Sequence, residues 1–354
     1  MTQKNVDYII VGQGLAGSCL ALQLLFRNKR IVVIDRVREH SATRVAAGLF
    51  NPITGRQMAK TWMADELFPY LHTFYQRAEL FLQTKFFFPM PLYRPFISVE
   101  EQNEWMGRST DPDYIAYIEA LHTNVAYADQ VKNPLGGLSL KQCGYVDTLL
   151  FSKAVRDHLV NSNSLLSEDL IEQDLKVAGD HVVYKGWRAR KIIFCSGELA
   201  RESYYFSWLP IRPLKGETLT ITTREQVDVI YNRGVYVVPY IWKVGATYNT
   251  RDVTPSITEE GKHELVEKLN DLVAFPYTVS NQQWGFRPTT PDRRPILGPH
   301  PAFEQIVFFN GLGTKGVSLA PYFSDELTRW MENGHPINHS VSISRYKSLY
   351  SKSA

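Results

Sequence analysis

The sequence predicts an α/β fold, α+β over the whole chain, in which a parallel-sheet part is interleaved with an antiparallel-sheet part. Three observations lead there. Within residues 7–36 a short apolar run, a glycine-rich turn, a helical apolar pattern and a second apolar run follow one another. Further on, GETLTITT (216–223), VYVVP (235–239) and WKVGATY (242–248) are rich in β-branched and aromatic residues and read as antiparallel strands. The chain has 354 residues, more than one ordinary core fills, so two domains are expected.

The first unit is DYIIVGQGLAGSCLALQLLFRNKRIVVIDR. Tyr8 to Val11 has the continuous apolar character of a buried parallel strand. Gly12, Gly14 and Gly17 follow in the spacing GxGxxG. Leu15 and Ala16 open a helix, and Cys19, Leu22 and Leu25/Phe26 continue it at helical spacing. Lys29 and Arg30 are expected to close that helix at its negative end. Ile31 to Ile34 is a second buried strand, ending in Asp35.

Each glycine has a physical reason. Gly12 permits the tight turn, Gly14 lets a pyrophosphate approach the backbone, and Gly17 lets helix and strand pack closely. The helix N-terminus supplies free N–H groups and positive dipole for phosphates. Asp35, eighteen residues after Gly17, can accept hydrogen bonds from a ribose diol and disfavours a 2′-phosphate. The unit therefore reads as a Rossmann-like dinucleotide site in which NADP is not expected. It does not separate NAD from FAD.

Composition narrows the class. Hydrophobic residues make up 44% and charged residues 21%, as in a globular protein. The net charge of +3 is too weak to argue for nucleic acid as a main partner. Cys19, Cys143 and Cys195 are far apart, so neither a disulfide framework nor a metal site is expected, and a reducing, cytoplasmic setting is the simpler expectation. MTQKNVDYIIVG lacks the pattern of a signal peptide. No run approaches ~18 apolar residues, so no membrane span is expected. FFFPMPLYRPF (86–96), broken by Pro89, Pro91, Arg94 and Pro95, reads as pocket wall.

SATRVAAGLFNPITGR (41–56) is small-residue-rich and suited to lie under a flat cofactor; ARKIIFCSGELA (189–200) is a strand running into a small-residue loop. With RVAAGLFNP (44–52), GYVDTLLFSKAV (144–155), VYVVPYIWKVGATY (235–248), GFRPTTPDRRPILG (285–298) and NGLGTKGVSLAP (310–321), the chain resembles the D-amino acid oxidase/glycine oxidase/sarcosine oxidase superfamily of FAD-dependent enzymes. Motifs in that family's order span most of the chain.

The resemblance implies a glutathione-reductase-type FAD-binding domain, discontinuous over 1–82, 142–212 and 285–354. It implies a substrate domain over 83–141 and 213–284. The cofactor contacts it implies, beyond the first glycine turn, are Arg36, Thr43, Arg44, Ala46, Ala47, Gly48 and Leu49 early in the chain, then Leu170, Cys195, Ser196 and Gly197. Gly298, Gly311, Gly313, Thr314, Lys315, Gly316 and Val317 complete them. Some relatives attach flavin through a cysteine in the segment matching GLGTKG; none is present here, so noncovalent FAD is expected. The pocket implied is Phe50, Tyr93, Tyr236, Trp242 and Arg287.

The residues themselves support this reading. Arginine offers a planar, permanently charged fork for a carboxylate, and Pro288 stiffens the chain after Arg287. Three prolines in 285–298 argue against a helix or a central strand. Arg293 and Arg294 are expected to be solvated or paired with acids such as Asp292. Tyr236 can add a hydroxyl near the carboxylate. Gly311, Gly313 and Gly316 form a second glycine turn opening a helix whose N-terminus can face an electron-rich group, with Lys315 adding charge. A helix is expected over 61–82 with Leu67, Leu71, Phe74, Ala78 and Phe81 on one face and Pro69 kinking or starting it. Another is expected over 257–273 with Leu265, Leu269 and Leu272 inward and Glu259/Lys262 and Glu264/Lys268 pairs outside. The tail after His335 is expected to be loosely held.

The implied reaction is oxidation of the C–N bond of a small carboxylate-bearing amine or amino acid by hydride transfer to flavin N5, with O₂ as acceptor. Two alternatives remain: an oxidase like that acting on the carboxymethylaminomethyl group of tRNA wobble uridine, and a dehydrogenase of amines or 2-hydroxy acids passing electrons to a quinone or protein. The sequence sets no oligomeric state.

Overall fold

The computed structural model describes residues 4–55 and 57–353. A six-stranded sheet runs in the order 165–166, 31–34, 8–11, 191–194, 306–310, 296–299. Its first five strands are parallel, and the last pairs antiparallel. The central strands read YIIV, IVVI, KIIF and IVFFN and are almost wholly buried. Continuous apolar character is what a strand covered on both faces requires. The helix Leu15–Leu25 packs beside Gly316–Asn333. The first helix ends at Leu25, so Lys29 lies beyond it and pairs with Glu332 instead of closing the helix.

The helix Ala64–Leu82 buries Leu67, Leu71, Phe74 and Ala78. Phe81 is a correction: it is 40% exposed, its ring edge set against Phe26. Pro69 lies inside the helix, in its second turn and not at its start, so it removes one i→i−4 hydrogen bond there. The tail is a second correction. Val341 and Ile343 are buried, and Ser342 bridges Leu297, so the segment is tied to the sheet edge.

An eight-stranded sheet runs 278–289, 212–222, 243–245, 235–238, 230–233, 92–95, 137–140, 118–122. All its pairings are antiparallel except 230–233 with 92–95. The helix Glu259–Leu272 packs on one face through Leu265, Leu269 and Leu272, with Lys268 on Glu264 outside. The other face looks toward the six-stranded sheet. The proline-rich Arg287 stretch is the end of an edge strand, Thr278–Thr289, the sheet position where a proline removes no ladder bond. That strand crosses residue 285, and a parallel bridge from Ser41 to Phe286 joins it to the first βαβ unit. Among the described residues no helix is long and apolar enough to cross a membrane.

Candidate active site

A cavity of about 1580 Å³ lies between the two sheets. Its nucleotide end is built by the first glycine turn. Gly12 has φ +94°, and a Cβ there would sit 2.6 Å from the Cys195 carbonyl oxygen. Gly17 does not line the cavity; a Cβ there would lie 1.8 Å from the Gly12 carbonyl oxygen, so this glycine seats the helix on the turn. Gly14, Leu15 and Ala16 form the wall.

The turn is braced by side chains. Asp35 accepts the Gln13 N–H at 2.9 Å and the Arg156 Nη1 at 2.9 Å. Thr43 Oγ1 accepts the Leu15 N–H at 3.0 Å. Asp35 is thus an ion-paired acid on the cavity wall, and Thr43 acts on the helix end. Gln13 and Arg156 were not foreseen: Arg156 stands on the helix Thr148–Asn161, over a hundred residues away. Arg36, Leu170, Cys195, Ser196 and Gly197 also line this end. One cavity-wall residue there, Ser196, carries a buried hydroxyl without a protein partner, and the Glu172 carboxyl beside it is held by Ser203 and the backbone of Tyr204 and Tyr205. Burial raises the Glu172 and Glu198 carboxyls. A buried polar atom left unpaired is costly, so this end fits a ligand rich in donors, such as the adenosine part of FAD.

The middle of the cavity is floored by residues 43–49. Gly48 has φ +69°, and a Cβ there would meet the Val146 carbonyl oxygen at 1.8 Å. Thr148 Oγ1 donates to the Ala46 carbonyl oxygen at 3.2 Å. Thr43, Arg44, Ala46, Ala47, Gly48 and Leu49 all reach the cavity, as do Gly313, Thr314, Lys315, Gly316 and Val317 opposite. The helix Gly316–Asn333 opens there with no side-chain cap. Lys315 Nζ donates to Thr54 at 2.9 Å and Thr61 at 3.1 Å, and burial lowers its pKa to about 8. Gly298 and Gly311 are corrections. Neither lines the cavity: Gly298 faces Ile337 and Ile343, and Gly311 faces Thr290.

At the far end are Arg287 and Tyr236. The Arg287 guanidinium lies over Gly216, where a Cβ would come within 2.2 Å of both terminal nitrogens. Nη1 donates to the Thr247 carbonyl oxygen at 3.2 Å. The titratable groups that act on the fork are the phenols of Tyr236 and Tyr248, and no acid does so among the described residues. Burial pulls its pKa down. Burial also pushes Tyr236 up to about 12, against the pull of Arg287. Arg293 is exposed; Arg294 lies over Trp62; Asp292 pairs with Arg345.

Tyr93 and Trp242 do not line the cavity. Strand side chains alternate, so Leu92 and Arg94 face it while Tyr93 packs away on Tyr127 and Tyr231. Trp242 packs on Phe275 across the sheet. Phe50 touches the cavity but is 1% exposed and stacks on Phe87. Arg94 and Asn232, not foreseen as pocket residues, do line it.

The chain is 26% identical over 341 residues to the bifunctional protein ThiO/ThiG of Nostoc sp., covering 89% of this chain and 51% of that one. It is 25% identical over 331 residues to the tRNA 5-methylaminomethyl-2-thiouridine biosynthesis bifunctional protein MnmC of Saccharophagus degradans, covering 84% and 45%. The chain thus spans about half the length of these curated relatives. The crystal structure of glycine oxidase from Geobacillus kaustophilus superposes with a TM-score of 0.79 at 18% identity, covering 95% and 99%. The DAO family, FAD dependent oxidoreductase, matches residues 7–330. The chain belongs to the DAO family of FAD-dependent oxidoreductases.

Proposed function

We propose that this enzyme oxidises the C–N bond of an amine or amino acid that carries a carboxylate. The observation that carries the reading is Arg287: a buried fork, facing the cavity, with no acid of its own. Bound FAD supplies the acceptor for the two electrons. Arg287 takes the carboxylate in its fork, Tyr236 gives that carboxylate a second hydrogen bond, and Gly216 leaves room for the guanidinium to lie flat. Lys315 and the N-terminus of the helix it precedes put positive charge on the opposite wall, where they would favour an electron-rich group of the cofactor. The Gly12–Gly17 turn, the 43–49 floor and Ser196 would hold FAD noncovalently. O₂ is the proposed acceptor, in keeping with the structural likeness to the glycine oxidase of Geobacillus kaustophilus.

The test is anaerobic bleaching of the flavin band by glycine, sarcosine, D- and L-amino acids, 2-hydroxy acids and carboxymethylaminomethyl-uridine, followed by O₂. Bleaching by an amino acid with recovery in O₂ supports the reading. Bleaching only by the modified nucleoside moves the activity to tRNA, bleaching without recovery moves it to a dehydrogenase, and no bleaching sinks it. Flavin released on acid denaturation tests noncovalent binding.

A further inference from the structure

The cavity does not stop at Tyr236. It continues along the sheet past Asn232 to Arg94, over apolar walls from Leu92, Leu140, Ile53 and Met58. The register places these side chains in one row. Asn232 is directly opposite Tyr236, and the pairing of Tyr231 with Tyr93 puts Asn232 beside Arg94. Two strand spacings, about 10 Å, separate the Tyr236 and Arg94 backbones.

Arg94 is only 9% exposed. Its Nη2 donates to Glu101 Oε1 at 2.9 Å. Its Nε is buried with no partner. Glu101 also accepts the Ile97 N–H at 2.8 Å and is not part of the cavity wall. Glu101 therefore takes Nη2 alone, and Arg94 itself lines the cavity with donors to spare. A buried guanidinium with spare donors at the end of an apolar passage suits an anionic terminus on a hydrocarbon chain.

We infer that Arg94, with Asn232 beside it, forms a second anion-recognising subsite, so that the substrate is an elongated amine with one carboxylate at Arg287 and a second acidic group, carboxylate or phosphate, at Arg94. This rests on the carboxylate-anchor reading of Arg287. Small amines such as glycine fill only the inner half of the space.

Calorimetric titration of the holoenzyme with non-oxidisable acids tests it without turnover. The probes are adipate, suberate and sebacate, each against the monocarboxylate of equal length. The expected result is a preference for the diacid that grows with chain length, reaching roughly tenfold or more, the worth of a charge-assisted hydrogen bond. Arg94→Met abolishes that preference and leaves acetate affinity unchanged. The double variant Arg94→Met/Glu101→Gln removes both charges, in case the single variant leaves Glu101 unpaired and does not fold. ω-Phosphono acids in place of the diacids tell a phosphate terminus from a carboxylate. Equal binding of mono- and diacids by the unmodified enzyme overturns the subsite, and so does a diacid preference that survives in either variant. If no amine bleaches the flavin but the diacid preference holds, the subsite stands and the amine chemistry falls. A diacid affinity unmoved by Arg287→Met sinks the anchor and not the subsite.

Discussion

The two ends of the cavity treat charge differently. At the nucleotide end the acid comes already paired: Asp35 holds Arg156 and the Gln13 N–H. At the substrate end Arg287 has only a carbonyl oxygen and two phenols. A site that keeps one resident ligand can spend its charges on bracing its own turn. A site that must take up and release an anion keeps a cation uncompensated, at a cost in stability. The difference teaches that a buried charge facing the cavity without an acid of its own points to an anchor for a carboxylate, while a charge already paired beside a glycine turn is spent on bracing that turn.

Breaking the substrate end has the largest expected effect. Arg287→Met lowers kcat/KM for a carboxylate-bearing amine by roughly 30- to several-thousand-fold, the loss expected when a buried charge pair is broken, with flavin content unchanged. Steady-state kinetics beside the flavin absorbance ratio measure it; unchanged kinetics end the anchor idea. Gly216→Ala comes next. The new methyl collides with the far end of a flexible side chain, so the fold survives while the fork moves. A displacement of this size costs up to about a hundredfold in rate, and the variant should show that loss with little change in Tm.

At the nucleotide end the contrast predicts a different readout. Arg156→Met leaves Asp35 unpaired beside the phosphate-binding turn; both side chains are partly exposed, at 22% and 17%, so solvent screening limits the effect. FAD affinity should fall by about tenfold, on the order of 1 kcal/mol, with kcat at saturating FAD retained. A kcat loss equal to that of Arg287→Met would erase the distinction between the two ends.

The last effect touches stability and not activity. Lys243 is 6% exposed, and burial lowers its pKa from 10.5 to about 8, with Asp147 opposing. Between those values the unfolded chain holds a proton that the folded chain does not, so stability rises with pH from about 8 to 10.5 and is flat below 8. Lys243→Met removes that slope. It should raise stability at pH 7 by up to roughly 3 kcal/mol, read as a higher Tm, with the gain shrinking as pH passes 8; a Tm difference constant with pH would show that Lys243 keeps its proton in the fold as it does in the unfolded chain.

Much of this could be read in the chain. The first βαβ unit, the second glycine turn and the helix 259–272 are local patterns, and local geometry decides them. Tyr93 and Trp242 were misplaced because pocket membership depends on which face of a sheet a residue shows, and one residue of register reverses that. Gly298 and Gly311 carry the positive φ their motif needs, +128° and +78°, yet what they make room for is protein.

By itself, then, the sequence determined the parallel nucleotide-binding unit, the family, and Arg287 as a stiffened cation next to proline. Periodicity, glycine spacing and the fixed charge of arginine are properties of neighbours in the chain. Tertiary structure alone decided that Arg156 neutralises Asp35, that Gly216 floors the Arg287 fork, and that Arg94 closes a second arm of the cavity. Those pairs join residues far apart in sequence, and only the pairing of strands and the packing of the two sheets bring their charges within reach of one another.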